Sequence, residues 1–145
     1  HKKRARAMNE QKFDFAMTLR CVRRRLGLSQ NELAELLDVN QNTISRWEDR
    51  SRTPRDPIKV LTRLDELDEI YKEIVDDTIE LAIRDGDTVT VVTYEVDEHW
   101  WLADERARDM ALPASMHQTA TGQAASEIKD SDVDGTTFAT IRASR

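Results

Sequence analysis

Between Phe15 and Pro54 the chain starts and stops helices at intervals too short for a long helix and too apolar-periodic for strands. Ser29 stands three residues ahead of Glu32. This is the spacing of a capping box, in which the hydroxyl and the carboxylate each satisfy an orphan backbone N–H at a helix start. The box predicts a short helix from Gln30 to about Leu37, with Leu33, Ala34 and Leu37 as its buried stripe and small Ala34 admitting a neighbouring helix. Asn40 is placed to cap a further helix over Gln41 to Asp49, with Ile44 and Trp47 turned inward. Ahead of both, Phe15, Leu19, Val22 and Leu26 share one helical face, and Gly27 ends it. These signals together restrict the segment to a small helical bundle.

Asp56-Pro57 is a cap followed by proline at a first helical position. From there Val60, Leu64, Leu67, Tyr71, Ile74, Thr78 and Leu81 recur at heptad-like spacing as far as Asp85-Gly86. Such a stripe predicts one long helix, or two with a bend, and serves equally as packing within a subunit or as a seam between subunits. Thr88 to Val96 is rich in β-branched residues and reads as a strand, followed by Trp100, Trp101 and Leu102. Ala114, His117, Ala120, Ala124 and Ile128 share a face of a helix expected over Pro113 to Lys129, which Gly122 weakens. A turn at Asp134-Gly135 and a second strand over Thr136 to Arg142 complete the expectation.

Charge divides the chain sharply. Residues 1–63 hold 15 Lys+Arg against 8 Asp+Glu, a balance of +7, whereas residues 64–145 hold 7 against 20, a balance of −13. Phosphates attract the first segment and repel the second. The sequence therefore has one half suited to face nucleic acid and one that must point away. No apolar run approaches the ~20 residues that span a bilayer, so no membrane partner is expected. The basic start, His1 to Arg6, lacks the apolar stretch of a secretion signal and reads as part of a disordered arm over residues 1–12. A single cysteine, Cys21, allows no internal disulfide, suits a cytoplasmic setting, and reads as a small core residue.

The run Leu19-Arg20-Cys21-Val22-Arg23-Arg24-Arg25-Leu26-Gly27-Leu28-Ser29-Gln30, then Glu32-Leu33-Ala34, Val39, Thr43-Ile44-Ser45-Arg46-Trp47-Glu48 and Pro54 resembles the Cro/CI-type (XRE) helix-turn-helix family. The likeness covers about residues 13–57. It implies that the helix over Gln41 to Asp49 lies in the major groove of double-stranded DNA, with base contacts from Gln41, Asn42 and Arg46. An amide can pair bidentately with adenine and Arg with guanine, so these residue types suit the task. The resemblance further implies phosphate contacts from Gln30, Asn40 and Thr43 and an internal salt bridge between Arg23 and Glu48. Arg24 and Arg52 are added as phosphate contacts from within the basic runs. Where the family commonly has glycine two residues after the glutamate, this chain has Arg50, so the loop there is expected to take another path. Past Pro57 the layout of acidic helix, strand, helix and strand looks like that of anti-CRISPR-associated autoregulators, whose second domain dimerises.

The expected fold is mainly α with a small α+β C-terminal part. Residues 13–63 form the helix-turn-helix domain and residues 64–145 an acidic dimerisation domain, with Leu67, Tyr71, Ile74, Val92, Tyr94, Trp100 and Trp101 at the interface. The expected function is a homodimeric repressor or autoregulator on an inverted-repeat operator. The alternative is the antitoxin of a toxin-antitoxin pair, whose acidic half would hold a basic protein partner. No enzyme, cofactor or metal is expected: His99 and His117 have no second histidine or cysteine at ligand spacing, and no phosphate loop or nucleophile motif occurs.

Overall fold

Asp14 opens the first helix by accepting a hydrogen bond from the Met17 N–H through its carboxylate. The computed structural model describes residues 13–144, and the arm expected over residues 1–12 lies outside them. The helix, α1, runs Phe15–Arg25 and ends where Gly27 takes φ +75°. The capping box is formed in full: Ser29 Oγ accepts from the Glu32 N–H at 3.0 Å, and Glu32 Oε1 accepts from the Ser29 N–H at 2.8 Å. It starts α2, Gln30–Leu36. Asn40 Oδ1 accepts from the Thr43 N–H at 2.9 Å and starts α3, Gln41–Glu48. Leu19, Leu26, Leu33 and Ile44 are fully buried between these helices, and Phe15 meets Trp47 edge to face with ring centroids 6.0 Å apart. Cys21 is exposed on α1, which corrects its expected place in the core.

Asp56 caps α4, Pro57–Glu80, by accepting from the Lys59 N–H. The chain divides into two units between Glu66 and Leu67, three residues past the boundary expected from charge and motif. Residues 67–144 build a three-stranded sheet with helices against it. Strand β1 (Ile83–Asp85) pairs antiparallel with β2 (Thr88–Tyr94), and β2 pairs parallel with β3 (Phe138–Ser144), in the order β1-β2-β3. Between β2 and β3 the chain forms α5 (Asp97–Ala103), α6 (Glu105–Met110) and α7 (Ala114–Asp130). A parallel pair requires such a crossover. Val89, Val91 and Thr93 turn one face of β2 inward, and α7 contributes Ala114, Ala120 and Ala124, whose small side chains let it lie close to the sheet.

Three expectations are corrected here. The long helix stops at Glu80, and Asp85 closes β1 of a hairpin whose two-residue loop is Gly86-Asp87, with Gly86 at φ +61° as such a loop requires. Leu81, the last position of the heptad-like stripe, is 76% exposed beyond the helix. The Trp pair lies on α5 rather than at the end of a strand. The third concerns the interface. Leu67, Tyr71, Ile74 and Trp100 are only 1%, 2%, 5% and 2% exposed within one chain. They are already buried within one chain, so they offer little surface to a second copy. Val92, Tyr94 and Trp101 are half-buried. Among the described residues no helix is long and apolar enough to cross a membrane.

Candidate nucleic-acid interface

Helix α3 has two unlike sides. Ile44, Trp47 and Glu48 are buried, whereas Gln41, Asn42 and Arg46 are exposed and Thr43 and Ser45 are half-buried. The exposed set carries amide and guanidinium groups on one side of the helix. Those are the groups that form paired hydrogen bonds with base edges in the major groove.

The inner side is held by charge as well as by packing. Arg23 on α1 grips Glu48 with two parallel hydrogen bonds, Nε to Oε2 at 2.7 Å and Nη2 to Oε1 at 2.9 Å. Its remaining Nη1 donates to the Leu28 carbonyl at 2.9 Å. Arg20 donates to the Glu48 backbone carbonyl at 3.1 Å, and Gln30 Nε2 donates to Glu48 Oε1 at 3.2 Å. Glu48 therefore ties α3 to α1 and to the start of α2. Burial alone would raise its pKa. The hydrogen bonds from Arg23 and Gln30 and the positive charges of Arg23 and Arg20 outweigh that, and hold the carboxyl below the ordinary glutamate value.

The other residues named from the sequence separate by position. Asn40 is exposed, with its Oδ1 occupied by the Thr43 N–H and, at 3.0 Å, by the Thr43 hydroxyl. Gln30 is half-buried and its amide is turned to Glu48. Arg24 and Arg52 are exposed, and among the described residues no carboxylate pairs with either.

The loop after α3 was not legible in the sequence. Arg50 takes φ +69°, so the backbone adopts the left-handed turn that glycine would favour although a long side chain occupies the position. The expected different path is thereby corrected. The Arg50 guanidinium forms a two-pronged ion pair with Asp14, donating from Nη1 to Oδ1 at 2.8 Å and from Nη2 to Oδ2. Asp14 thus caps α1 and holds the loop at once. The hydrogen bond from Arg50, ahead of that from the Met17 N–H, lowers its pKa. The only sequence sign of this pair is opposite charge at Asp14 and Arg50, 36 residues apart.

No curated protein matches the chain. Residues 14–71 match the family model described as a helix-turn-helix domain, a span that contains α1, α2, α3 and both Glu48-centred and Asp14-centred contacts. The N-terminal part of this chain is accordingly similar to a helix-turn-helix domain over that span.

Proposed function

We propose that the chain is a sequence-specific, double-stranded-DNA-binding transcriptional regulator of the Cro/CI type, acting in the cytoplasm as a homodimeric repressor on an inverted-repeat operator. The observation that carries this reading is the two-sidedness of α3. One side is locked by Ile44, Trp47 and the Arg23–Glu48 pair, and the other presents Gln41, Asn42 and Arg46 without obstruction from the N-terminal unit. Rigid support behind an exposed reading face is what base recognition needs, because a contact displaced by an ångström loses its paired geometry. Thr43, Asn40, Arg24 and Arg52 then serve as phosphate contacts. Gln30 can do so only if its amide leaves Glu48.

Two copies are part of the reading. One helix-turn-helix reads a few base pairs, which does not separate an operator from the ~10⁶ or more competing sites of a genome. The outer edge of β3 supports pairing between copies. It is the end strand of its sheet, Phe138 and Ile141 are exposed, and its one charged residue is Arg142. In a half of the chain that carries −13, this is where two copies can meet without opposing carboxylates. Selection of bound duplexes from random DNA, with light scattering of the free chain, tests both parts. The expected outcome is a dimer and a site with dyad symmetry whose half-sites lie ~34 Å apart. A monomer at micromolar concentration, or bound sequences with no common motif, overturns the reading. Ile141→Glu is expected to weaken self-association and leave the fold intact.

A further inference from the structure

Within the C-terminal unit, α4, β2, α5 and α7 line a partly open cavity of about 170 Å³ that the DNA-binding reading does not use. Its wall includes Asp77, Asp104, Tyr94, Trp100 and His117, over an aliphatic side that includes Ile74. No Lys or Arg lines it. Two acidic residues thus line the space, Asp77 at its exposed rim, with no basic residue beside them in the lining.

His117 decides what the cavity can accept. The residue is only 8% exposed. Its Nδ1 lies 2.8 Å from Thr93 Oγ1 and 3.1 Å from Thr121 Oγ1. The Thr121 hydroxyl already donates to the His117 carbonyl at 2.7 Å, so its oxygen can only accept from the ring. A bare Nδ1 would set lone pair against lone pair at that contact. With the proton on Nδ1, the ring donates to both threonine oxygens. This leaves Nε2 as an acceptor with no partner among the described residues, on a ring that lines the cavity. Tyr94 and Trp100 meet the imidazole edge to face, each with centroids 4.9 Å away. Burial, opposed in part by the charge of Asp104, lowers the His117 pKa to about 4, so the ring is neutral at physiological pH and adds no positive charge.

We propose that this cavity is a binding site for a small organic ammonium compound. Its N–H groups would be received by His117 Nε2 and by the carboxylates of Asp104 and Asp77, with the Trp100 and Tyr94 rings beside it. Aromatic faces attract organic cations. A metal ion does not fit as well, because among the described residues no group of three or more His, Cys, Asp or Glu side chains converges to hold one. The cavity is smaller than the ~300 Å³ at which sites for drug-sized ligands begin, which limits the occupant to a few heavy atoms.

The test uses the full chain without DNA, so its result is independent of the DNA-binding reading. Butylammonium, butanol and butyrate are titrated as probes of one shape and three charges, with the His117 ring nitrogens and the Trp100 indole followed by NMR. Saturable shifts at both residues with butylammonium alone are expected. Asp104→Asn, which retains an oxygen to accept the Ala107 N–H at the start of α6, should weaken binding roughly tenfold. Asp77→Asn, on the exposed side of α4, should also weaken it and provides a second variant if the first disturbs the fold. Equal shifts with all three probes, no saturable shift with butylammonium, or undiminished binding in both folded variants overturns the proposal.

Discussion

The two units bury their polar groups in opposite ways. The N-terminal unit encloses an ion pair, Arg23 with Glu48, whereas the C-terminal unit encloses a neutral histidine between two threonines. An enclosed ion pair is costly to desolvate and costlier to break, so it fixes one arrangement of the helices it joins. A neutral hydrogen-bonded ring is less costly to enclose, but protonation would place a charge inside. The first unit is thus built to hold a helix in one pose. The second loses stability when its histidine is protonated.

Breaking the ion pair is the most damaging change expected. Glu48→Ala would strand the Arg23 guanidinium in a site where it is 8% exposed, which is expected to cost about 3 kcal/mol or more. Replacing both partners with Met and Leu of similar volume should cost far less. Denaturant unfolding of both variants checks this, and a loss below about 1 kcal/mol for Glu48→Ala would remove the contrast between the units.

Acid should act next, and first on the other unit. The folded pKa of His117, about 4, lies below its ordinary 6.5, so its contribution is fully present above pH 6.5 and is lost as pH falls from there towards 4. The full shift corresponds to on the order of 3 kcal/mol. Glu48 is also depressed, from 4.5, so its contribution is lost only as pH falls below that value. Amide hydrogen exchange followed from pH 7 to pH 4 should therefore show protection falling on β2 and α7 before it falls on α3. The reverse order would contradict the burial argument.

The proposed contacts of α3 with DNA can be divided more finely. Arg46→Ala is expected to lose ~1–3 kcal/mol on the selected duplex and to relax preference at one base pair per half-site. Arg24→Ala should weaken selected and scrambled duplexes alike and make the salt dependence shallower by about one unit. Titrations at several salt concentrations separate the two, and equal weakening on both duplexes by Arg46→Ala would remove it from the base-reading set. The smallest effect is expected at Arg50. Arg50→Gly relieves the left-handed backbone but gives up the exposed pair with Asp14, so the two changes largely offset. Arg50→Ala keeps the strain, loses the pair, and should melt lowest of the three.

How well each unit could be read followed from the range of the signals that shape it. In the first unit the helix limits are set by neighbours in sequence: Ser29 with Glu32, Asn40 with Thr43, Gly27 at its left-handed φ. Those interactions act over three or four residues, and they appear in the letters themselves. In the second, α7 and the β-branched run of β2 were legible from periodicity and composition, but β1 was not. Ile83–Asp85 is a strand because Thr88–Thr90 pairs with it, and nothing local distinguishes it from the end of the preceding helix. Helices α5 and α6, of seven and six residues, are too short to show a helical period, and only the second has a side-chain cap, from Asp104.

The sequence by itself determined the helix-turn-helix frame, the division of charge and the polar character of the α3 face, since each rests on local spacing or on counting. Tertiary structure alone decided the rest. It turned the heptad-like stripe inward from Leu64 to Thr78, bringing Tyr71 to Gln123, with the Tyr71 hydroxyl donating at 2.8 Å across 52 residues of chain. It paired Asp14 with Arg50 across 36 residues, and set His117 between Thr93 and Thr121 beside a cavity. A stripe of apolar residues states that a face will be buried. Which surface buries it depends on what the remainder of the chain brings there, and that is a property of the packed whole rather than of any segment.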